Sequence, residues 1–150
     1  MISIWDTLLP SSKSLIKSYR ETDVPSGTCA AYSPLNHFAY CGNKKGEVNI
    51  YDVRTHKKIQ KFTAHESSVK AIALDPDEYY VGTGSSEGNI KIWSLKTLEP
   101  IHLYHNEHSK SSIIRNLNSG VNQLYFTHDN QILSCGLKTL ELRNLFLEKN

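Results

Sequence analysis

His102, His105 and His108 stand three residues apart, and imidazoles so placed are the first group in this chain to test as a zinc or copper site. The spacing opposes convergence. Residues three apart in a strand project from opposite faces, so His102 and His105 meet only if the segment coils into a helical turn. They read as a solvated loop, and no metal is expected. Cys41 and Cys135 precede Gly42 and Gly136 in the way that Thr83 precedes Gly84, which marks an architectural position where a free thiol packs as a small hydrophobe. Cys29 has no counterpart. Lys44, Lys45, Lys57, Lys58 and Lys61 form the basic concentration and could meet phosphates, but no aromatic is interleaved to stack a base. Edge lysines also guard strands against aggregation, so nucleic acid is not the expected partner. Gly82-Thr83-Gly84 has a dinucleotide-like spelling, yet it leads into a strand rather than a helix. No phosphate loop or Gly-x-Ser-x-Gly elbow is present, so the sequence assigns no catalytic residue, no cofactor-binding residue and no metal ligand.

The elements that must carry these residues are set by a chain of 150 residues, enough for one domain or part of one. Its 17 Lys and Arg against 15 Asp and Glu leave a net charge of +2, too little to make a polyanion or an acidic membrane the default partner. The three cysteines form no Cys-x-x-Cys pair, and a reducing, cytosolic compartment is expected. No apolar run has the length of a signal peptide or a membrane span, so membrane contact is expected only through partners.

Repetition is the strongest pattern. Ile2-Ser3-Ile4-Trp5-Asp6-Thr7 matches Val48-Asn49-Ile50-Tyr51-Asp52-Val53, then Ile90-Lys91-Ile92-Trp93-Ser94-Leu95, and more weakly Leu140-Glu141-Leu142-Arg143-Asn144-Leu145. The aromatic position recurs with spacings of 46 and 42, and the fourth copy follows after 50. A propeller blade repeats every 40 to 45 residues or so. Blocks 31–42, 73–84 and 125–136 match in the same way, each with a polar or Pro-bearing bend: Ser33-Pro34-Leu35-Asn36, Asp75-Pro76-Asp77 and His128-Asp129-Asn130. Asn43-Lys44-Lys45-Gly46 and Ser86-Glu87-Gly88-Asn89 read as hairpin turns. Strands are expected at 28–34, 37–42, 47–53 and 57–62, at 69–75, 79–84, 90–95 and 100–104, at 121–127, 131–136 and 139–145, and at 2–7 and 15–20. The units fall at about 1–20, 24–62, 65–104 and 105–150. Helix is nearly absent from this reading; only 109–117 could hold a turn or two.

In Thr63-Ala64-His65-Glu66-Ser67-Ser68-Val69 and in Gly82 to Trp93 the chain resembles the WD-repeat family. The resemblance implies an all-β fold: a partial propeller of about three four-stranded antiparallel blades plus part of a preceding blade. It also implies a buried hydrogen-bond network of an inter-blade His, a strand hydroxyl, a turn acid and an indole, here His65, Thr83 or Ser85, Glu87 and Trp93. Such groups come as a set because each, buried without a partner, costs about 1 to 3 kcal/mol. The neighbouring repeats are degraded: Tyr51 and Lys45 replace the indole and the acid in one, and Arg143 stands at the indole position in the next.

The whole chain, and especially His65 to Leu95 with Asn106-Glu107-His108 and Ile114-Arg115-Asn116, is similar to the C-terminal propeller of the DmX-like (rabconnectin) proteins. That resemblance implies a large cytosolic, non-catalytic scaffold, peripheral on vesicle or endolysosomal membranes through partners. Those partners would include subunits of the vacuolar proton-pumping ATPase, whose assembly the scaffold would regulate. One connection stands out within the chain. His65 lies four residues before Val69 but His108 lies 13 before Val121, and long connections on a rigid β scaffold are where recognition concentrates. Ser109, Lys110, Ile113, Ile114, Arg115 and Asn116 are the expected partner-binding loop. A blade cannot bury both faces alone, so further blades or a partner are expected to complete the array.

Overall fold

The structure, a computed structural model, describes residues 2–19, 26–105, 120–129, 131–136 and 139–145. A two-stranded hairpin of β1 (Ile2–Trp5) and β2 (Leu15–Tyr19) precedes a four-stranded sheet of β3 (Gly27–Ser33), β4 (Phe38–Asn43), β5 (Glu47–Asp52) and β6 (Lys57–Thr63). A second four-stranded sheet follows, of β7 (Val69–Leu74), β8 (Tyr80–Ser85), β9 (Ile90–Ser94) and β10 (Pro100–Tyr104). Three strands, β11 (Gln123–Phe126), β12 (Gln131–Cys135) and β13 (Leu140–Asn144), form the last sheet. Every neighbouring pair is antiparallel. The expected strands all form, with ends within two residues of the sequence reading. No helix occurs among the described residues, and segment 109–117 lies outside them.

The alternation of each strand decides what its two faces meet. Val48 and Ile50 of β5 face forward into a core shared with Val69, Val81 and Trp93 of the following sheet. Ile90 and Ile92 of β9 face forward in the same way, into a core with Val121, Phe126, Ile132 and Leu145, while Trp93 beside them faces back. Residues one apart thus serve different seams, as the two-residue period of a strand requires. The three sheets are stacked blades, and the hydrophobic cores lie between them.

Two glycines permit the close approach. A Cβ on Gly42 would lie 2.8 Å from Cγ1 of Val69, and one on Gly84 would lie 2.5 Å from the same kind of atom in Val121. In both four-stranded blades the second strand leaves a hole that a valine of the next blade fills, Val69 at the start of β7 and Val121 just ahead of β11. Gly46 adds a backbone tie at φ +82°: its carbonyl accepts the N–H groups of Ala64, at 2.8 Å, and His65, at 3.0 Å.

One repeat equivalence read from the sequence is corrected. Thr83 pairs with Lys91 across β8 and β9, and the residue pairing with Glu141 across β12 and β13 is Ser134, not Cys135. Leu74 pairs with Val81, but Phe126 pairs with Ile132, so the bend in the last blade is one residue shorter. A shift of one residue exchanges the faces of a strand. Ser134 is therefore the buried residue at the Thr83 position, while Cys135 is half-buried on the opposite face.

Because the valine seat at Gly84 has no spare volume, Gly84→Ala should destabilise the fold by about 1 to 3 kcal/mol through overpacking. Urea unfolding followed by tryptophan fluorescence checks this, and an unchanged midpoint would mean that Val121 gives way freely.

Candidate interaction site and its supporting network

Thr83, in the second strand of the central blade, is the hub of the polar set. The Trp93 indole N–H donates to its Oγ1 at 2.9 Å, and Nε2 of His65 lies 2.9 Å from the same oxygen. The carbonyls of Thr83 and Lys91 stand close by, 3.3 Å from His65 Nε2 and 3.4 Å from Thr83 Oγ1 respectively. With the indole proton filling one lone pair of Oγ1, the hydroxyl proton is left for the His65 ring or the Lys91 carbonyl. His65, Thr83 and Trp93 are all buried, so each bond is made away from water. Burial above all, with the Lys91 charge adding to it and the ring's hydrogen bond to the Thr83 carbonyl opposing it, pushes the His65 pKa down to about 4. The ring is neutral at pH 7.

The other two residues expected in this set stand apart from it. Ser85 Oγ accepts the N–H groups of Glu87 at 3.3 Å and Asn89 at 3.1 Å, and so braces the hairpin turn. Asn43 does the same one repeat earlier, its Oδ1 accepting from Lys45 at 2.8 Å and Glu47 at 3.1 Å. The expectation that Glu87 supplies the turn acid of the network is corrected: its side chain is exposed, and what it gives the turn is its backbone N–H.

Trp93 also closes an aromatic contact across the seam, its ring 4.9 Å from that of Phe62 in the preceding blade. One repeat later Tyr104 and Arg143 occupy the same two positions, with the guanidinium 5.5 Å from the ring centroid. Arg143 also pairs with Glu141 at 2.6 Å. A cation over a π face thus replaces an aromatic pair, and the degraded repeat keeps its seam contact by different chemistry.

A second tie, which no sequence motif marks, is made by Glu78. Its buried carboxylate crosses to the β3–β4 bend of the preceding blade, where Ser33 Oγ and Asn36 Nδ2 donate to Oε2, the latter at 2.9 Å, and Leu35 N–H donates to Oε1 at 3.1 Å. Three donors balance the desolvation of one charge. Glu78 has a φ of +57°, as His37 has +58° at the matching bend. No motif points to it, because its partners lie one repeat away.

Among the described residues no group of three His, Cys, Asp or Glu side chains is placed to hold a metal, and His102 instead stacks on Tyr104 at 6.4 Å. His108 and the expected partner-binding residues Ser109, Lys110, Ile113, Ile114, Arg115 and Asn116 lie outside the described residues. Among the described residues no helix is long and apolar enough to cross a membrane.

Stacked antiparallel blades, two of them four-stranded, with a buried His–Thr–Trp bridge in the central one, define a WD-repeat β-propeller. More particularly, the chain belongs to the family described as Nucleolar protein 10-like, N-terminal domain, a β-propeller whose family model matches residues 13–143. It is 43% identical to DmX-like protein 1 of Mus musculus and 40% identical to that of Homo sapiens, each over 96% of this chain. It spans only 5% of the length of those relatives. Among solved structures, the WD40 repeats of RRP9 align over 84% of this chain and 37% of that one, with a TM-score of 0.69 and 18% identity. The β-propeller domain of Swd1 from Myceliophteria thermophila aligns over 81% and 36%, with a TM-score of 0.65 and 14% identity. These two likenesses establish the fold.

Trp93→Ala should cost about 3 to 5 kcal/mol, from lost packing on Phe62 and loss of the indole donor to Thr83, whereas Glu87→Ala should stay within about 0.5 kcal/mol. Equal losses in chemical denaturation would return Glu87 to the network. The His65 ring has a lower pKa folded, about 4, than its ordinary 6.5, so the unfolded chain binds more protons between those values. Its contribution is complete above pH 6.5 or so and declines as pH falls toward about 4, by a total on the order of 3 kcal/mol. Stability measured across that range should fall less steeply for His65→Asn, and parallel slopes would contradict the assignment.

Proposed function

We propose that this segment is a non-catalytic docking module that holds other proteins, and that the protein carrying it is a DmX-like regulator of vacuolar proton-pumping ATPase assembly. Acidification of vesicles or endolysosomes would follow from that role. The observation that supports this reading is the 40 to 43% identity to DmX-like protein 1, which runs over 96% of the chain rather than over one motif. The protein would then work in the cytoplasm and reach membranes through its partners. Within the segment we assign partner recognition to Ser109, Lys110, Ile113, Ile114, Arg115 and Asn116. The connection that holds them runs over residues 105–122, against 64–68 for the one before it. The description of the matched family favours a second reading, an adaptor in another complex, and the same experiment distinguishes the two.

Affinity purification of the full-length protein should enrich vacuolar ATPase subunits, and its loss should slow organelle acidification. Deleting residues 109–117 should leave the melting curve in place, because loop-closure entropy changes by under about 1 kcal/mol, while capture of the partner falls. Enrichment of a different complex, with acidification normal, would replace the pump assignment by the second reading.

A further inference from the structure

The up-and-down course of the strands brings two bends of each four-stranded blade to one end of the array, residues 33–38 and 52–57 in the first and 75–80 and 94–100 in the second. Within a blade the two bends are tied: the His37 carbonyl accepts the Val53 N–H at 3.0 Å, and the Tyr79 carbonyl accepts that of Leu95 at 2.9 Å. The loop of the β1–β2 hairpin, residues 6–14, falls at the same end, because Trp5 stands in β1 where Tyr51 and Trp93 stand in β5 and β9. Three leucines project from this corner: Leu8 is 92% exposed, Leu9 41% and Leu35 68%. We infer that the hairpin loop and the bends of the first four-stranded blade make direct contact with an anionic lipid surface, the leucines entering the bilayer interface and the cations beside them meeting its headgroups. Such contact adds to recruitment through partners and does not rest on it.

Three observations select a lipid surface. First, these leucines are not seam residues left bare by an absent neighbour. Counted from the strand aromatic, Leu8 and Leu9 take the places of Arg54 and Thr55 and of Lys96 and Thr97, all exposed in complete blades. Leu35 is the third residue of its bend, where the later blades expose Asp77 and Asp129. The repeat faces water at these positions, and here it holds leucines, the kind of exposed apolar patch that marks a contact site. Second, Leu8 and Leu9 ride on a convex loop braced from within: Asp6 Oδ1 accepts the Leu8 N–H at 2.8 Å, and the Pro10 carbonyl accepts the Lys13 N–H at 2.8 Å. The loop is longer than its counterparts, since Trp5 pairs with Leu15 but Tyr51 with Lys58 and Trp93 with Pro100. A rigid protein partner needs a matching cavity for such a tip, whereas a bilayer interface yields to it. Third, the exposed charge around the leucines has one sign. Lys13, Arg54 and Lys57 are exposed, with Arg54 Nε 3.9 Å from Asp52. Asp6 and Asp52 are half-buried and accept backbone N–H groups, and Glu78, reaching in from the next blade, is buried on its three donors. Exposed acids begin on the bends of the next blade, with Asp77 and with Glu99 near Lys96, and they bound the patch. At the opposite end, turns 43–46 and 85–89 expose Lys44, Lys45 and Glu87 and no apolar side chain. The net charge of +2 averages over this arrangement.

The test is hydrogen exchange of the purified full-length protein, read segment by segment by mass spectrometry, with protein-free vesicles of phosphatidylcholine alone or with about one-third phosphatidylserine. Segments 6–14 and 33–38 should gain protection on the phosphatidylserine vesicles and lose it as salt rises, while 85–89 at the opposite end stays unchanged. Leu8→Ser combined with Leu9→Ser, and separately Lys13→Glu, should raise the lipid concentration needed for that protection about tenfold or more. These are exposed positions, and unchanged melting curves for the variants separate lost lipid contact from lost folding. No protection of either segment, equal protection on phosphatidylcholine alone, protection indifferent to both sets of substitutions, or protection given by single-stranded RNA and not by vesicles would each overturn the inference. The vesicles carry no protein, so none of these readouts depends on whether vacuolar pump subunits are captured.

Discussion

A blade of this chain has two apolar faces and no means of covering either from within. Each seam between the three sheets solves that problem once, by placing a glycine in the second strand of one blade against a valine at or just before the first strand of the next. Gly42 receives Val69 and Gly84 receives Val121, in both cases at a distance that leaves no room for a methyl group. Everything else depends on that approach. The aromatic contact of Phe62 with Trp93 and the reach of Glu78 to Ser33 both need sheets held this close. Hydrophobic burial drives the stacking, but the missing side chains set its geometry.

Polar groups then fix which face of each strand goes inward. A buried hydroxyl, imidazole and indole can be satisfied in one register and lose their partners in any other, so the Thr83 hub penalises slippage that apolar packing alone would tolerate. The last blade keeps register with different material: Ser134 is buried where Thr83 sits, and Arg143 covers Tyr104 where Trp93 covers Phe62. Substituting the signature residues has not removed the seam, since what it requires is filled space and paired donors rather than particular side chains.

The strands, turns and blade order were legible because they depend on periodicities of two residues and of about 42, and both are written locally. His65, Thr83 and Trp93 could be found because a family signature marks them. The sequence could not separate Thr83 from Ser85 as the hub, since both are hydroxyls two residues apart on one face; the structure gives one the network and the other the turn. Glu87 looked like a network acid by position, but position does not encode the length of a side chain. Ser134 was missed because a bend one residue shorter is invisible until strand pairings are known.

The Glu78 tie bears on how such an array can change over time. Its carboxylate belongs to one repeat and its three donors to the repeat before, so neither repeat holds a complete unit of chemistry. Ser33, Asn36 and Glu78 form a single heritable character split across a repeat boundary. If this repeat were duplicated or moved within the array, the buried charge would face a bend that had never matched it. The repeats look interchangeable in sequence, yet each is committed to the neighbour it has.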